Sequence, residues 1–291
     1  MYIFSVFKNL FKPNNLGTII FFVLNATLIF AVFSSADPEF FKVVVVLYFV
    51  SIFIALSSVG EWFLALISGA RTMTRVDMRN RITPIVRRVQ RKAKAKTPDL
   101  PKCVIIKVMY DPNPNAFAVG RKTICVTEGL FELPDEMIEG ILAHEFAHLA
   151  LHHTDIQLLI GGGNFIVTAF IFVLQLLSMI MNGFATILTL GRRTRTAGCL
   201  LSIFSLMCTA MIWLWTKFCM LFLMWSTRAN EFEADKYAYQ LGLGYELALA
   251  LDTIGTGVPQ NSFMKALYST HPETNDRIGK LQAMGVAYSR Y

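Results

Sequence analysis

Charged residues are scarce in this sequence. Asp, Glu, Lys and Arg make up 16% of the 291 residues, whereas soluble globular proteins average about 25%. Apolar residues reach 54%, phenylalanine alone occurs 24 times, and the mean hydropathy is +0.49. Because so few polar side chains cannot cover this apolar surface in water, an ordinary soluble domain is excluded. We expect part of the chain to lie in lipid.

The sequence also lacks patterns that would indicate other classes of protein. Its five cysteines form no CxxC pair and show no regular spacing, which argues against a disulfide framework and a thiolate metal site. It contains no internal repeat and no low-complexity tract. We expect no cleavable signal peptide, because the apolar run that begins near Gly17 has spanning length and lacks a small-residue cleavage site.

Four apolar stretches are long enough to cross a bilayer, which takes about 20 residues. One short connection joins the first stretch to the second, and another joins the third to the fourth, so the spans are predicted to form two hairpins. The predicted spans are Gly17–Ala36, Val43–Ile67, Ile160–Asn182 and Gly198–Trp225.

The distribution of Lys and Arg beside the spans predicts their orientation. Lys8 and Lys12 precede the first span, and the segment Arg71–Lys96 contains ten Lys or Arg against one acidic residue. This asymmetry places the N-terminus, the middle region and the C-terminal region in the cytoplasm. The arginines at 192, 193 and 195 disagree with it, since they lie in a loop that would then be outside. Either the bias of the first hairpin dominates, which we favour, or the second hairpin does not fully cross the membrane.

The basic segment has two interpretations. It could bind nucleic acid, or it could be a juxtamembrane helix on anionic headgroups, with Ile82, Val86 and Val89 on its apolar side. We favour the second because a predicted span lies next to it, and we expect no nucleic-acid partner.

The strongest chemical signal lies in the segment PDEMIEGILAHEFAHLALHH, residues 134–153, which is predicted to be one helix with an acidic first turn. His144 and His148 are four residues apart, so they share one face and can converge on one metal ion. Glu145 would lie beside the ion and could take a proton from the attacking water. His152 and His153 are interpreted as the polar end of the helix near the membrane rather than as ligands.

An HExxH motif also arises by chance, and the alternative here is a helix with surface histidines. The apolar neighbours of the motif favour the metal site, because burying unpaired histidines and a glutamate is costly. A zinc site with three protein ligands keeps one position open for water, as hydrolysis requires.

A third ligand must come from elsewhere in the chain. Leu151 and Thr154 exclude the metzincin motif, which has Gly and His at these positions. Glu231 and Asp235 follow the fourth span and are four residues apart on a second predicted helix. A ligand and a carboxylate that orients a ligating histidine could therefore share one face. Glu233 is interpreted as a surface residue.

In combination, the motifs resemble the HtpX family of membrane zinc proteases, relatives of the CAAX prenyl proteases. The resemblance covers nearly the whole chain, including the layout of four spans. It implies a gluzincin-like catalytic domain on a helical membrane base facing the cytosol, one Zn²⁺ per chain, and Glu231 as the third ligand. The matching motifs are HEFAH at 144–148, EFEAD at 231–235, NAFA at 115–118, VTEGL at 126–130 and HPETNDRI at 271–278.

Three short runs have the composition of strands, and the second and third are predicted to form a hairpin. They are Val104–Met109, Ala116–Val119 and Thr123–Val126. The edge formed by Asn115, Ala116, Phe117 and Ala118 could hold an extended peptide substrate by main-chain hydrogen bonds. The alternative is an ordinary hairpin strand.

Two further residues are candidates near the reaction. His271 could donate a hydrogen bond to the developing oxyanion, or Arg277 could hold it in place. The alternative for His271, a histidine before a proline, is an ordinary loop residue.

We therefore predict a mainly α integral membrane protein with four transmembrane helices and a gluzincin-like α+β catalytic domain that carries a small β-sheet. The predicted regions are an N-terminal hairpin (1–67), a cytosolic region with the basic helix, the sheet and the HExxH helix (68–158), a second hairpin (159–225) and the C-terminal part of the catalytic domain (226–291).

The predicted function is zinc-dependent endoproteolysis of misfolded or membrane proteins at the cytosolic face of the plasma (inner) membrane, in quality control and the stress response. The alternative is a catalytically inactive membrane scaffold or chaperone, which would be expected to lack Glu145 or a ligand. A transporter would need polar groups at mid-membrane, and the spans contain few.

Overall fold

The structure is a computed structural model that describes residues 2–34, 38–161, 165–190, 195–254 and 272–289. The helices in these ranges are α1 (Tyr2–Leu10), α2 (Leu16–Phe33), α3 (Pro38–Ala55), α4 (Ser58–Ile67), α5 (Val76–Lys96), α6 (Asp135–Ala150), α7 (His153–Gly161), α8 (Phe165–Leu190), α9 (Arg195–Gln240), α10 (Gly244–Ile254) and α11 (Thr274–Ala283). The strands are β1 (Arg71–Thr72), β2 (Ile105–Met109), β3 (Ala116–Val119) and β4 (Thr123–Thr127). Long helices with one small sheet confirm the predicted mainly α fold class.

Four of the described helical segments are long and apolar enough to cross a membrane. They are Pro13–Ala31, Pro38–Ala55, Val167–Leu190 and Arg195–Gln240. Their number agrees with the prediction. The third span lies further along the chain than predicted, because α7 takes up the first residues of the apolar stretch that begins at Ile160.

The second predicted span, Val43–Ile67, is two helices rather than one. The chain leaves the first helix after Ala55, and Ser57 begins the next by accepting a hydrogen bond from the Val59 N–H at 3.1 Å. A serine in this position caps a helix N-terminus and so favours a new helix over continuation of the old one. A Cβ atom on Gly60 would lie 2.1 Å from the Ala55 carbonyl oxygen, so this break also needs a glycine.

Helix α9 connects the membrane to the site. It contains 46 residues, a length of about 69 Å at 1.5 Å per residue, whereas the hydrocarbon core of a bilayer is about 30 Å thick. Only part of α9 can therefore lie in lipid. Its apolar residues 198–225 come first, and the polar residues from Ser226 onward lie beyond them in the same helix.

The sheet has the strand order β1-β2-β4-β3. Strands β2 and β4 are parallel, whereas β3 pairs with β4 as an antiparallel hairpin. The three strands and the hairpin were predicted. The turn of the hairpin contains Gly120 at φ 62°, where glycine avoids strain. Strand β1 was not predicted because two residues give no periodic pattern. Strand β3 forms one edge of this sheet.

The basic helix α5 packs on the catalytic core. Ile82, Val86 and Val89 are buried in the same cluster as α6, so the prediction that they face headgroups is wrong. Packing against a second helix removes more of the apolar surface of this stripe from water than lying at a membrane interface would. Arg81 and Arg88 reinforce the packing through ion pairs with acidic residues of α6.

The start of the first span packs against α9 where the polar part of α9 begins. The Asn230 side chain donates to Asn15 Oδ1 at 2.9 Å, and the Thr18 N–H donates to Ser226 Oγ at 3.0 Å. A Cβ on Gly17 would lie 2.1 Å from a backbone oxygen of α9, so the two helices approach closely. The N-terminal segment thereby contacts residues that flank Glu231.

Candidate metal centre

Helix α6 carries His144, Glu145 and His148 through the middle of the protein. It is covered by α5, α9 and α10, and all three side chains are buried. The contact with α10 depends on Gly140, since a Cβ there would lie 2.4 Å from the Leu247 nitrogen. Burial by packed helices holds the three polar side chains in fixed positions, as a metal centre requires.

The structure brings Glu231 of α9 to the two histidines of α6. His144 Nε2 lies 3.1 Å from His148 Nε2. Glu231 places Oε2 at 3.4 Å from His144 Nε2 and Oε1 at 3.3 Å from His148 Nε2. Tetrahedral zinc with bonds of about 2.0–2.1 Å separates its ligand atoms by about 3.3–3.4 Å. The two imidazoles and one carboxylate therefore fit a zinc ion in chemistry and in spacing.

Asp235 lies one turn beyond Glu231 and contacts the other nitrogen of the first histidine. Its Oδ1 lies 2.9 Å from His144 Nδ1, so Nδ1–H donates to the carboxylate and Nε2 is left to bind a metal. Arg277 of α11 holds this carboxylate with two hydrogen bonds, from Nε at 2.8 Å and from one terminal nitrogen at 2.6 Å. Asp235 and Arg277, predicted as supporting residues, thus lie together behind His144.

The electrostatics of the pocket favour positive charge between His144 and the carboxylates. Burial and Arg277 lower the pKa of His144, but hydrogen bonds with Asp235 and Glu231 outweigh them and raise it to about 9. Burial raises the pKa of Asp235, and Arg277 outweighs this effect to bring it to about 2. A pocket that binds a proton this tightly also suits a cation.

Behind the second histidine the structure differs from the prediction. Helix α6 ends at Ala150, and His152 has a φ of 59° that turns the chain into α7. His153 is therefore not the polar end of the helix. It is 3% exposed, and its Nδ1 lies 3.1 Å from His148 Nδ1.

Glu233 is not a freely solvated surface residue as predicted. It lies 3.3 Å from His153 Nε2 through Oε2, and it accepts a hydrogen bond from Asn14 at 3.0 Å and pairs with Lys12 at 3.4 Å. The hydrogen bond with His153 lowers the pKa of Glu233 to about 2. Burial lowers the pKa of His153 to about 4, so its imidazole is neutral at pH 7.

The Glu145 carboxylate, which is not among the three proposed ligands, contacts the sheet. Its Oε2 accepts a hydrogen bond of 2.7 Å from the Ala118 N–H of β3. Strand β3 is thus the edge beside the HExxH helix. At its start, Asn115 Oδ1 accepts from the Ala116 N–H at 2.9 Å, and the Asn115 N–H donates to Thr127 Oγ1 at 2.7 Å. Phe117 lies between the two alanines and pairs with Cys125 of β4.

His271 lies outside the described residues. The residues that sequence reasoning missed are His153, which follows the end of α6, and Glu233, which lies on α9. A separation of five residues between His148 and His153 does not place two side chains on one helical face. The sequence signal that could have found them is the polar pair at 152 and 153, in a stretch otherwise apolar enough for continuous burial.

Together, a helical membrane base and a buried His₂Glu centre beside a strand edge define the class of a membrane-embedded metallopeptidase. Residues 78–285 of the chain match the family described as "Peptidase family M48". The chain belongs to this family.

Curated relatives are named as HtpX proteases. The "Protease HtpX homolog" of Acaryochloris marina is 27% identical over 256 residues, covering 78% of this chain and 81% of that protein. The homologue of Dictyoglomus thermophilum is 29% identical, with 62% of this chain and 63% of that protein covered. The homologue of Campylobacter concisus is 32% identical, with 69% and 73% covered. Among solved structures, S. mikatae Ste24p aligns with a TM-score of 0.49 at 17% identity, covering 96% of this chain and 66% of that one.

Proposed function

We propose that this chain is a zinc-dependent endopeptidase that cleaves misfolded or membrane proteins at the cytosolic face of the plasma membrane, in membrane-protein quality control. The observation that carries the proposal is the convergence of His144, His148 and Glu231 within 4.8 Å of one another, with Glu145 beside them. Membership of a metallopeptidase family supports the reaction class.

In this proposal His144, His148 and Glu231 hold one Zn²⁺ per chain. The ion, when bound, supplies Lewis-acid polarisation of a carbonyl and acidifies water. Asp235 and Arg277 fix the orientation of His144, because a hydrogen bond at Nδ1 determines which nitrogen is left to bind the metal.

Glu145 is the proposed general base. Its carboxylate takes the proton of the attacking water and later passes it to the leaving amine, so no covalent enzyme intermediate is needed. The hydrogen bond from Ala118 holds this carboxylate beside β3. His271 is proposed to stabilise the oxyanion.

The edge of β3 is the proposed substrate site. The Thr127 N–H donates to the Asn115 carbonyl at 2.9 Å, so residues 115, 117 and 119 carry the ladder bonds with β4 in this antiparallel pair. The backbone groups of Ala116 and Ala118 therefore face the edge that β4 does not cover. There the two N–H groups donate to Asn115 and Glu145, and the two carbonyl oxygens are the groups proposed to accept hydrogen bonds from a substrate. An extended peptide that pairs there would be held mainly by its backbone, which suits cleavage with little sequence preference.

The cytosolic orientation rests on the basic residues of the first hairpin and of α5. It is proposed for the whole catalytic part, comprising residues 68–158 and 226–291. The site would then meet cytosolic segments of membrane proteins and misfolded chains at the bilayer.

The test is zinc content and casein cleavage of the protein purified in detergent. Glu145→Gln is expected to retain about one zinc per chain and lose cleavage, whereas Glu231→Ala is expected to lose zinc. Glu136→Gln, the same substitution at an exposed position of α6, is the matched control and should behave as wild type. Wild type without zinc after metal loading, or cleavage by Glu145→Gln at the wild-type rate, would refute the proposal. Zinc bound to wild type, without cleavage by wild type or by any variant, would favour the scaffold.

A further inference from the structure

We infer that His153 is a positioning residue of the metal centre, and that it links His148 to Glu233 and, through Glu233, to Lys12 and Asn14 where the first span begins. The inference rests on the proposed metal centre. It adds a second support, which acts on His148 rather than on His144, built from His153 and Glu233.

The geometry allows one consistent set of donors and acceptors. With Nε2 of His148 directed at His144 and Glu231, its Nδ1 carries the proton and must find an acceptor. The nearest partner is Nδ1 of His153 at 3.1 Å. When that nitrogen accepts, Nε2 of His153 carries the proton and donates to Glu233 Oε2 at 3.3 Å.

The outer end of this chain of hydrogen bonds is charged. Asn14 donates to Glu233 Oε2 at 3.0 Å, and Lys12 pairs with Oε1 at 3.4 Å. A carboxylate that receives these donors accepts strongly from His153, which in turn makes Nδ1 of His153 a better acceptor for His148. The two histidine ligands are thus supported differently. His144 has its carboxylate in direct contact, whereas His148 reaches one through an imidazole.

The surroundings leave little room for a substitute. A cavity of about 20 Å³ adjoins His148, His153 and Glu231, which is space for roughly one water molecule. His153 itself is buried. Removing the imidazole without filling its volume would let water take its place, so a test must replace it with an apolar group of similar size.

The decisive variant is His153→Leu, which fills the volume and leaves the His148 Nδ1–H without an acceptor. Loss of such a partner typically weakens metal affinity about 10–100-fold, and we expect a loss in this range. His153→Asn should recover most of the affinity, because Oδ1 can occupy the position of Nδ1. Glu233→Gln retains an acceptor but not the charge, so a smaller loss is expected.

The matched control is His152→Asn. His152 pairs with Asp155 at 2.7 Å, and asparagine tolerates its positive φ. It should bind metal as wild type does. The measurements are metal affinity, by competition with a chelating fluorophore in detergent, and the visible spectrum of the cobalt-loaded protein, which reports ligand geometry directly.

The outcomes separate this inference from the proposed function. Weaker binding and an altered cobalt spectrum in His153→Leu, with recovery in His153→Asn, support the positioning role. Equal affinity and an unchanged spectrum in His153→Leu and in Glu233→Gln overturn it and leave the metal centre standing. Wild type that binds no metal overturns both.

Discussion

The buried pair of Arg277 and Asp235 allows a quantitative prediction about stability. Arg277 is 6% exposed and Asp235 is 1% exposed, and the two hydrogen bonds between them form a planar fork. Arg277→Met keeps most of the side-chain volume and leaves the carboxylate buried without its cation. Removing one partner of a buried ion pair costs about 3–5 kcal/mol. At about 2–4 °C per kcal/mol, the unfolding temperature should fall by about 6–20 °C.

The assay is thermal unfolding of the metal-free protein in detergent, so that changes in metal affinity do not contribute. Asp235→Asn retains an oxygen acceptor for His144 but removes the negative charge. The double variant with Arg277→Met should therefore lose less stability than the two single losses added together. Arg75→Met is the control, because Arg75 forms an ion pair of similar length with Asp77 on the surface. Its unfolding temperature should not change. Additive losses in the double variant, or equal losses in Arg277→Met and Arg75→Met, would refute the reasoning.

Three further outcomes are expected. Ala118→Pro deletes the N–H that donates to Glu145 and leaves the ladder with β4 intact. Because a hydrogen bond to a charged group contributes about 1.5–3 kcal/mol, kcat should fall about 10–100-fold, with little change in unfolding temperature. Phe117→Pro removes a ladder bond instead and should destabilise the fold; equal effects of the two prolines on stability would contradict the strand register. Gly140→Ala should lower the unfolding temperature, because its Cβ would meet α10. Gly279→Ala should not, because none of the described residues places an atom within 4 Å of the added Cβ; thermal unfolding distinguishes the two variants. A chelator should abolish casein cleavage and added Zn²⁺ restore it, whereas cleavage that persists in the chelator would exclude a metal-dependent reaction.

Periodic and composition-based signals predicted the long elements. The number of spans, the three main strands and the hairpin turn at Gly120 all follow from patterns of a few neighbouring residues. The ends of helices were predicted less accurately where a single residue ends one helix or begins the next. Ser57 divides the second stretch, and the positive φ of His152 ends α6 early, although the hydropathy of both stretches continues.

The amphipathic helix α5 shows a second limit. Its sequence shows an apolar stripe and a basic face, but a stripe of Ile82, Val86 and Val89 fits a membrane interface as well as a protein core. Only the presence of α6, which comes some forty residues later and carries acids that pair with Arg81 and Arg88, decides between them.

Which residues could hold a metal can be predicted from the sequence alone. The spacing of His144 and His148, with Glu231 and Asp235 one turn apart on another helix, follows from the geometry of the α-helix alone. The tertiary structure decided how these side chains are supported. The contact of Glu145 with Ala118 joins α6 to a strand that precedes it in the chain. The contact of His148 with His153 joins residues on either side of the end of α6. No local pattern encodes such contacts, since they depend on how packed helices and a strand edge exclude every other arrangement.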